Sequence, residues 1–246
     1  LHLKLLLSDY FVALKDSGAV LRTYIPDNSQ EPSIDRKRPA ILIFPGGGYE
    51  FTSPREAEPV AIKFVNAGFN AFVLDYSVAP ARYPTQLLEA PAALALIRQK
   101  ADEFNTIPDK IAVCGFSAGG HLAASIGTMW QEAFIANTLK INYGENQPNA
   151  MILCYPVITG LKKTHAGSFK NLLGEKADTD SLKYLSLENR VTKMCPPAFL
   201  WHTFDDNAVP VKNSLLMANA LEENGIMFEL HIYDSGVHGV SICSKE

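Results

Sequence analysis

Ser117 stands in the run Ile111-Ala112-Val113-Cys114-Gly115-Phe116-Ser117-Ala118-Gly119-Gly120-His121. A serine nucleophile lifted above a sheet needs a sharp strand-to-helix turn, which strains its backbone and leaves no room for side chains two positions away on either side. Gly115 and Gly119 occupy those positions. An apolar stretch of strand length precedes the serine and a small-residue helical stretch follows it. The helix therefore starts beside Ser117, and its first N–H groups and positive dipole end face any developing oxyanion. The bland alternative, an ordinary glycine-rich turn, does not require that strand-before, helix-after context.

A nucleophile of this kind needs donors for the oxyanion, a base and an acid. Phe44-Pro45-Gly46-Gly47-Gly48-Tyr49 leaves an earlier apolar run and offers successive backbone N–H groups without obstructing side chains; together with Ala118 it could stabilise a tetrahedral intermediate. A phosphate-cradling loop is the weaker reading, since neither the Gly-x-Gly-x-x-Gly spacing nor a Lys-Ser/Thr ending is present. The acid and then the histidine should follow in the chain. Thr203-Phe204-Asp205-Asp206-Asn207-Ala208-Val209-Pro210 supplies two adjacent carboxylates, of which only one can orient a histidine; the bland alternative, that both simply cap the next helix, is reasonable for Asp205 or Asn207. Asp234-Ser235-Gly236-Val237-His238-Gly239 supplies His238 on a loop with glycine on both sides, the natural proton shuttle for Ser117.

The elements that must hold these groups alternate between strand-length apolar runs and longer stretches of helical period, the pattern of an α/β fold with a largely parallel sheet. An antiparallel hairpin is expected at the start, 11–15 against 19–25 around Asp16-Ser17-Gly18, and then a polar loop over 26–38. Strands are expected over 40–44, 71–74, 110–114, 150–155, 197–202 and 227–233, which makes about eight. Helices are expected over 54–66, 84–104, 118–130 and 211–223, with Pro91 kinking or restarting the second. The stretch 156–196 has weak periodicity and reads as a small cap-like excursion with short helices near 169–173 and 181–185. The 246 residues are expected to form a single domain.

Composition narrows the function classes. The hydrophobic fraction is 47% and the charged fraction 20%, with no low-complexity bias, which excludes a disordered, collagenous or coiled-coil chain. A net charge of -4 without an extended Lys/Arg run disfavours a nucleic-acid or anionic-membrane partner. Four scattered cysteines form no C-x-x-C pair, no His/Asp/Glu set has metal-ligand spacing, and neither metal nor cofactor is expected. No run approaches bilayer length, and the apolar opening lacks the marks of a signal peptide, so a cytoplasmic location is expected, although a chain whose leader had been removed would read the same. A homo-oligomer is left open. Among the other histidines, His231 alternates with apolar neighbours and reads as structural, His202 ends a strand behind the site, and His121 lies one helical turn after Ser117 and suits a hydrogen bond to the glycine loop. His165, in the excursion, could reach a substrate, although a lone loop histidine is usually only solvated.

Five motifs together resemble an α/β-hydrolase: Phe-Pro-Gly-Gly-Gly-Tyr at 44–49, Asp-Tyr-Ser-Val at 75–78, Gly-Phe-Ser-Ala-Gly-Gly-His at 115–121, Asp-Asp-x-x-Val-Pro at 205–210 and Gly-Val-His-Gly at 236–239. The likeness covers nearly the whole chain and is closest to esterases near the hormone-sensitive-lipase group and bacterial acetyl-xylan or feruloyl esterases. It implies a three-layer α/β/α sandwich with Ser117, Asp206 and His238 as catalytic triad, Asp206 being the Asp of Asp-x-x-Val-Pro. It implies Gly47 and Gly48, with Ala118, as the oxyanion donors. Pro45 replaces the His of the lipase-like motif, so the glycine loop must be anchored by some other group. The sequence stops eight residues past His238, where such relatives add a further helix; if that helix is truly absent, the loop carrying His238 is expected to be less firmly held. The resemblance implies hydrolysis of a small-molecule or oligosaccharide ester, acetylated or feruloylated. The short excursion disfavours long-chain fat, and Tyr49, Tyr76 and Tyr155, at strand ends, could stack on a sugar ring. An amidase or peptidase of the same fold and a non-catalytic binding module are the rival readings.

Overall fold

The computed structural model describes residues 1–28 and 36–243. Eight strands make one sheet: β1 (Lys4–Leu6), β2 (Val20–Tyr24), β3 (Arg38–Phe44), β4 (Asn70–Asp75), β5 (Thr106–Phe116), β6 (Ala150–Cys154), β7 (Ala198–Thr203) and β8 (Phe228–Tyr233). Their order is β1-β2-β4-β3-β5-β6-β7-β8. β1 pairs antiparallel with β2, and β2 with β4; every other pair is parallel.

The near-continuous apolar runs of β3, β4 and β5 follow from cover on both faces. Alternate residues serve two cores. Leu42, Phe44, Phe72, Leu74, Ile111 and Val113 face one; Ile41, Ile43, Ala71, Val73, Cys114 and Phe116 face the other. The first core is closed by α2 (Thr85–Gln99), α3 (Ala118–Met129), α4 (Ala133–Leu139) and α7 (Lys212–Glu223), and the second by Val60 and Ala61 of α1 (Glu58–Asn66). The result is the expected three-layer sandwich. Between β6 and β7 the chain makes α5 (Ala166–Leu173) and α6 (Thr179–Tyr184), which pack beside the carboxyl ends of the strands.

Three local expectations change. The first hairpin arm is β1, with Leu5 opposite Leu21, while 12–14 form a 3₁₀ turn. Phe11 and Leu14 are buried and Val12 and Ala13 exposed, so the apolar spacing is three, which eclipses side chains in a 3₁₀ turn, and not the two of a strand. α2 runs through Pro91 without restarting, because its buried, Ala-rich surface packs along its length and tertiary contact outweighs one lost backbone bond. α4 was not expected; at seven residues, closed by Lys140 in the left-handed region, it is too short to show a period. The loop expected at 26–38 falls largely outside the described residues.

Candidate active site

The groups singled out from sequence lie where loops leave the carboxyl ends of the strands, the usual place for sites on such sheets. Ser117 follows β5 at φ 53°, ψ −118°, a strained position for a residue with a side chain. Its N–H donates to Cys154 O at 3.0 Å, and its carbonyl accepts from the N–H groups of Val157 and His121. A Cβ at Gly119 would sit 2.1 Å from Phe44 O and 2.5 Å from Pro45 O. The glycine therefore lets the helix approach β3 closely enough to fix the turn.

Ser117 Oγ lies 2.8 Å from His238 Nε2, and His238 Nδ1 lies 2.6 Å from Asp206 Oδ2. A carboxylate can only accept here, so Nδ1 carries the proton and Nε2 is left as an acceptor for the serine hydroxyl. Asp206 Oδ1 accepts from the N–H groups of Ala208 and Val209, each at 2.9 Å. His202, fully buried, donates from Nε2 to Val209 O at 2.9 Å and lies 3.3 Å from Asp206 Oδ2. Burial alone would raise the Asp206 carboxyl. The hydrogen bonds from His202 and His238, then that from the Val209 N–H, outweigh it and hold the group well below the usual carboxylate range. The neighbouring Asp205 is exposed and accepts from the Gly236 N–H at 2.7 Å, so it braces the histidine loop without touching the imidazole.

The glycine loop is fixed at three of its residues, each by a different part of the chain. Tyr76 donates to Pro45 O at 2.5 Å, Glu56 Oε2 accepts from the Gly46 N–H at 2.7 Å, and Asn171 of α5 donates to Gly48 O at 2.9 Å. Gly47 has φ 129°, and a Cβ there would lie 2.1 Å from Phe51 O. Among the described residues the N–H groups of Gly47 and Gly48 find no acceptor in a turn, a loop or a side chain. Ala118 opens α3, where an N–H has no partner within the helix. These three donors are free to meet a ligand oxygen.

Tyr49, Tyr76 and Tyr155 do not line the site as stacking residues. All three are buried, and their hydroxyls are taken up inside the protein. Tyr49 donates to His121 Nδ1 at 2.9 Å, while His121 Nε2 donates to Leu185 O at 2.9 Å; burial, against that last bond, pushes His121 down to about 4, so it stays neutral. Tyr155 donates to Glu56 Oε1 at 2.7 Å and accepts from the Ser241 N–H at 2.9 Å. Its ring meets that of His238 at 5.0 Å and 70°. Thr203 donating to Gly236 O and Ser241 Oγ donating to Arg55 O tie the histidine loop at two further points. His231 lies exposed on the edge strand β8 beside Glu229.

Glu56 is the polar group the sequence did not single out for these contacts, whereas His202 was placed behind the site. Glu56 sits in a charged run that reads as solvated surface, yet it is only 3% exposed. Nothing in its spacing announces that role. For His202, the end of a strand leading into the two aspartates was the available signal.

A family model, BD-FAE, matches residues 23–221. The chain is 37% identical over 216 residues to endo-1,4-beta-xylanase B of Butyrivibrio fibrisolvens, covering 86% of this chain and 34% of that protein. It is 31% identical over 233 residues to an acetylxylan esterase of Xylanibacter ruminicola, covering 92% and 45%. The chain thus spans between a third and half the length of these curated relatives. Among solved structures, an acetyl ester-xyloside bifunctional hydrolase of Caldicellulosiruptor lactoaceticus superposes with a TM-score of 0.83 at 41% identity, over 92% of this chain and 81% of that one. A carboxylesterase of Lactobacillus plantarum superposes at 0.81 with 28% identity, over 92% and 82%. On this extent of match, the chain belongs to the BD-FAE family, within the α/β-hydrolase esterases.

Proposed function

We propose that the chain hydrolyses short-chain acyl esters of carbohydrate through Ser117, His238 and Asp206. The observation that carries this reading is the hydrogen-bonded line from Ser117 Oγ through His238 to Asp206, at 2.8 and 2.6 Å. His238 Nε2 takes the Ser117 proton as Oγ bonds to the ester carbonyl carbon. The carbonyl oxygen gains charge and is met by the N–H groups of Gly47, Gly48 and Ala118. His238 then gives the proton to the departing alcohol oxygen as the C–O bond breaks, leaving an acyl-Ser117. Water repeats the sequence in its place: it loses a proton to His238, attacks the acyl carbon and releases the acid with Ser117 restored. Asp206 keeps its charge throughout and stabilises the imidazolium.

Two things support an acylated sugar over a long-chain fat. The relatives named above include an acetylxylan esterase and an acetyl ester-xyloside hydrolase. The excursion at 156–196 contributes two helices of 8 and 6 residues, α5 being tied down on the glycine loop through Asn171, which is far from a large movable lid. Within this reading 1–246 act as one domain and the excursion covers the alcohol side of the site.

The test is the initial rate on p-nitrophenyl esters of rising acyl length and on acetylated xylo-oligosaccharide, for wild type and Ser117→Ala. Hydrolysis of acetate and butyrate that declines with chain length and vanishes in Ser117→Ala is expected. Activity retained in Ser117→Ala would remove the serine mechanism. A preference for long acyl chains would remove the substrate class.

A further inference from the structure

His165 opens α5 as its cap residue, and its environment determines which ring nitrogen carries the proton. The backbone N–H of Ser168 points at His165 Nδ1 at 3.3 Å, and Ser168 Oγ lies 2.9 Å from the same atom. A backbone N–H can only donate, so Nδ1 is an acceptor and, in the neutral ring, the hydrogen sits on Nε2. Among the described residues no protein group accepts from Nε2. The ring is half-buried, so this donor is partly withdrawn from solvent without being satisfied by the fold.

The ring is also held next to the reacting groups. Its Cε1 lies 3.8 Å from where a Cβ on Gly48 would be, and Ser168 Oγ lies 3.9 Å from the same point. Asn171, one turn beyond Ser168 along α5, donates to Gly48 O, and Arg82 donates to the Asn171 carbonyl, so the helix is tied to the glycine loop. Phe169 packs edge-on against His121 at 5.2 Å. Burial lowers the affinity of His165 for a second proton, and the charge of His238 lowers it further, with Asp206 opposing. The ring thus lies against Gly48, and the Ser168 N–H keeps the hydrogen of the neutral ring on Nε2, where it can be donated.

We propose that His165 is a substrate-binding residue whose Nε2–H donates to a hydroxyl or ring oxygen of the ester's alcohol, beside the oxygen that leaves. This rests on the ester-hydrolase reading of Ser117 and His238. The alcohol side is assigned because His238 must deliver its proton there, whereas the acyl oxygen already has three backbone donors. An alcohol rich in oxygens, such as a sugar, profits from this donor, and an aryl alcohol does not.

The test separates the cap from the donor. His165→Asn keeps an acceptor for the Ser168 N–H, since Asn is among the best N-cap residues, but has nothing at the position of Nε2; His165→Ala removes both. kcat and KM are measured on acetylated xylo-oligosaccharide and on p-nitrophenyl acetate, with thermal unfolding of each variant. One neutral hydrogen bond corresponds to a loss of up to roughly tenfold. The expected result is such a fall in kcat/KM on the sugar ester in both variants, with p-nitrophenyl acetate changed by less than about twofold in His165→Asn and its unfolding near wild type. Equal losses on both esters in His165→Asn would place the donor on the acyl side and overturn the assignment. A sugar-ester rate restored by Asn but not by Ala would make His165 a cap only, and that too would overturn it. Failure of the underlying reading shows separately, as activity that persists in Ser117→Ala.

Discussion

Replacing Glu56 tests whether the site is held from behind. Its carboxylate accepts from the Gly46 N–H and from the Tyr155 hydroxyl, each at 2.7 Å, in a place only 3% exposed. Hydrogen bonds to a charged group contribute about 1.5–3 kcal/mol each, so Glu56→Ala, which strands both donors, should cost about 3–6 kcal/mol. At about 2–4 °C per kcal/mol for a protein of this size, Tm falls by of order 10 °C. Glu56→Gln is milder for a geometric reason. The Gly46 N–H can only donate, so the amide oxygen must turn to it and the amide NH₂ must face Tyr155. One bond is kept and the other reverses, the amide NH₂ donating to the Tyr155 oxygen while the hydroxyl hydrogen loses its acceptor, at about 1–2 kcal/mol. Activity should divide the same way. A Cβ at Gly46 would be 3.0 Å from Ser117 Cβ, so a shift of this residue moves the donors relative to the nucleophile, and a displacement near 1 Å costs about a hundredfold in kcat. Glu56→Ala is therefore expected to lose about that much kcat on p-nitrophenyl acetate with little change in KM, and Glu56→Gln less than tenfold. Urea unfolding and steady-state kinetics measure both quantities. A Glu56→Ala protein that is destabilised yet keeps wild-type kcat would refute the idea that the carboxylate positions the loop.

Further outcomes follow from other contacts. Tyr76→Phe removes the hydroxyl bonded to Pro45 O and should lower kcat several-fold with a smaller change in KM; equal rates for mutant and wild type would mean the loop needs no anchor there. Gly119→Ala puts a methyl 2.1 Å from a strand carbonyl and should cost about 3 kcal/mol or more, seen as an earlier urea midpoint. His121 titrates near 4 when folded because burial disfavours its charge, against about 6.5 when unfolded. Between those values the unfolded chain binds more protons, so stability rises with pH across the window and falls by about 3 kcal/mol in going from pH 7 to below 4. In His121→Gln this contribution to the slope of stability between pH 6.5 and 4 should be missing. The Asp206 carboxyl is held low when folded, so its contribution is present above about pH 4 and is lost as pH falls through its folded value. The stability gap between wild type and Asp206→Asn should narrow as the medium is acidified below pH 4, and a gap constant from pH 7 to 2 would contradict that.

What was legible in the sequence was what local spacing determines. Strands buried on both faces write themselves as apolar runs, and 40–44 and 71–74 lie within β3 and β4. Ser117 and His238 could be named because a strained turn demands glycines at fixed offsets and because the histidine should follow the acid in the chain, whereas the choice of Asp206 over Asp205 came only from the family resemblance. Phe11-x-x-Leu14 misled because two apolar residues three apart fit a 3₁₀ turn as well as a distorted strand. The tyrosines misled for a deeper reason: aromatic residues at strand ends are placed correctly by the sequence, but the destination of their hydroxyls is decided by residues far away. For Tyr49 the partner was legible from the other end, since His121, one turn after Ser117, was expected to bond the glycine loop, and it does so across 72 residues. Tyr155 finds its acceptor 99 residues back in the chain, and no period or motif carries such information.

Those long-range bonds also explain how the loop dispenses with the histidine that Pro45 replaces. A proline cannot donate from its backbone and has no polar side chain, so the loop's anchors must come to it. Tyr76, at the carboxyl end of β4, reaches the Pro45 carbonyl; Glu56, between the loop and α1, holds Gly46; Asn171, in α5, holds Gly48. Each anchor comes from a different element, so displacing the loop means breaking bonds to β4, the α1 side and the excursion together. Glu56 extends the arrangement to the other half of the site. Its second oxygen holds Tyr155, which holds Ser241 three residues beyond His238 and packs against the imidazole itself. One buried carboxylate thus ties the glycine loop that carries the Gly47 and Gly48 N–H groups to the segment that carries His238, while Ser117 is fixed between them by its own bonds to β6 and the segment after it. The segment bearing His238 and the loop bearing Gly47 and Gly48 therefore share a support, and under the proposed mechanism a substitution at Glu56 or Tyr155 should disturb oxyanion binding and proton transfer together, not one at a time.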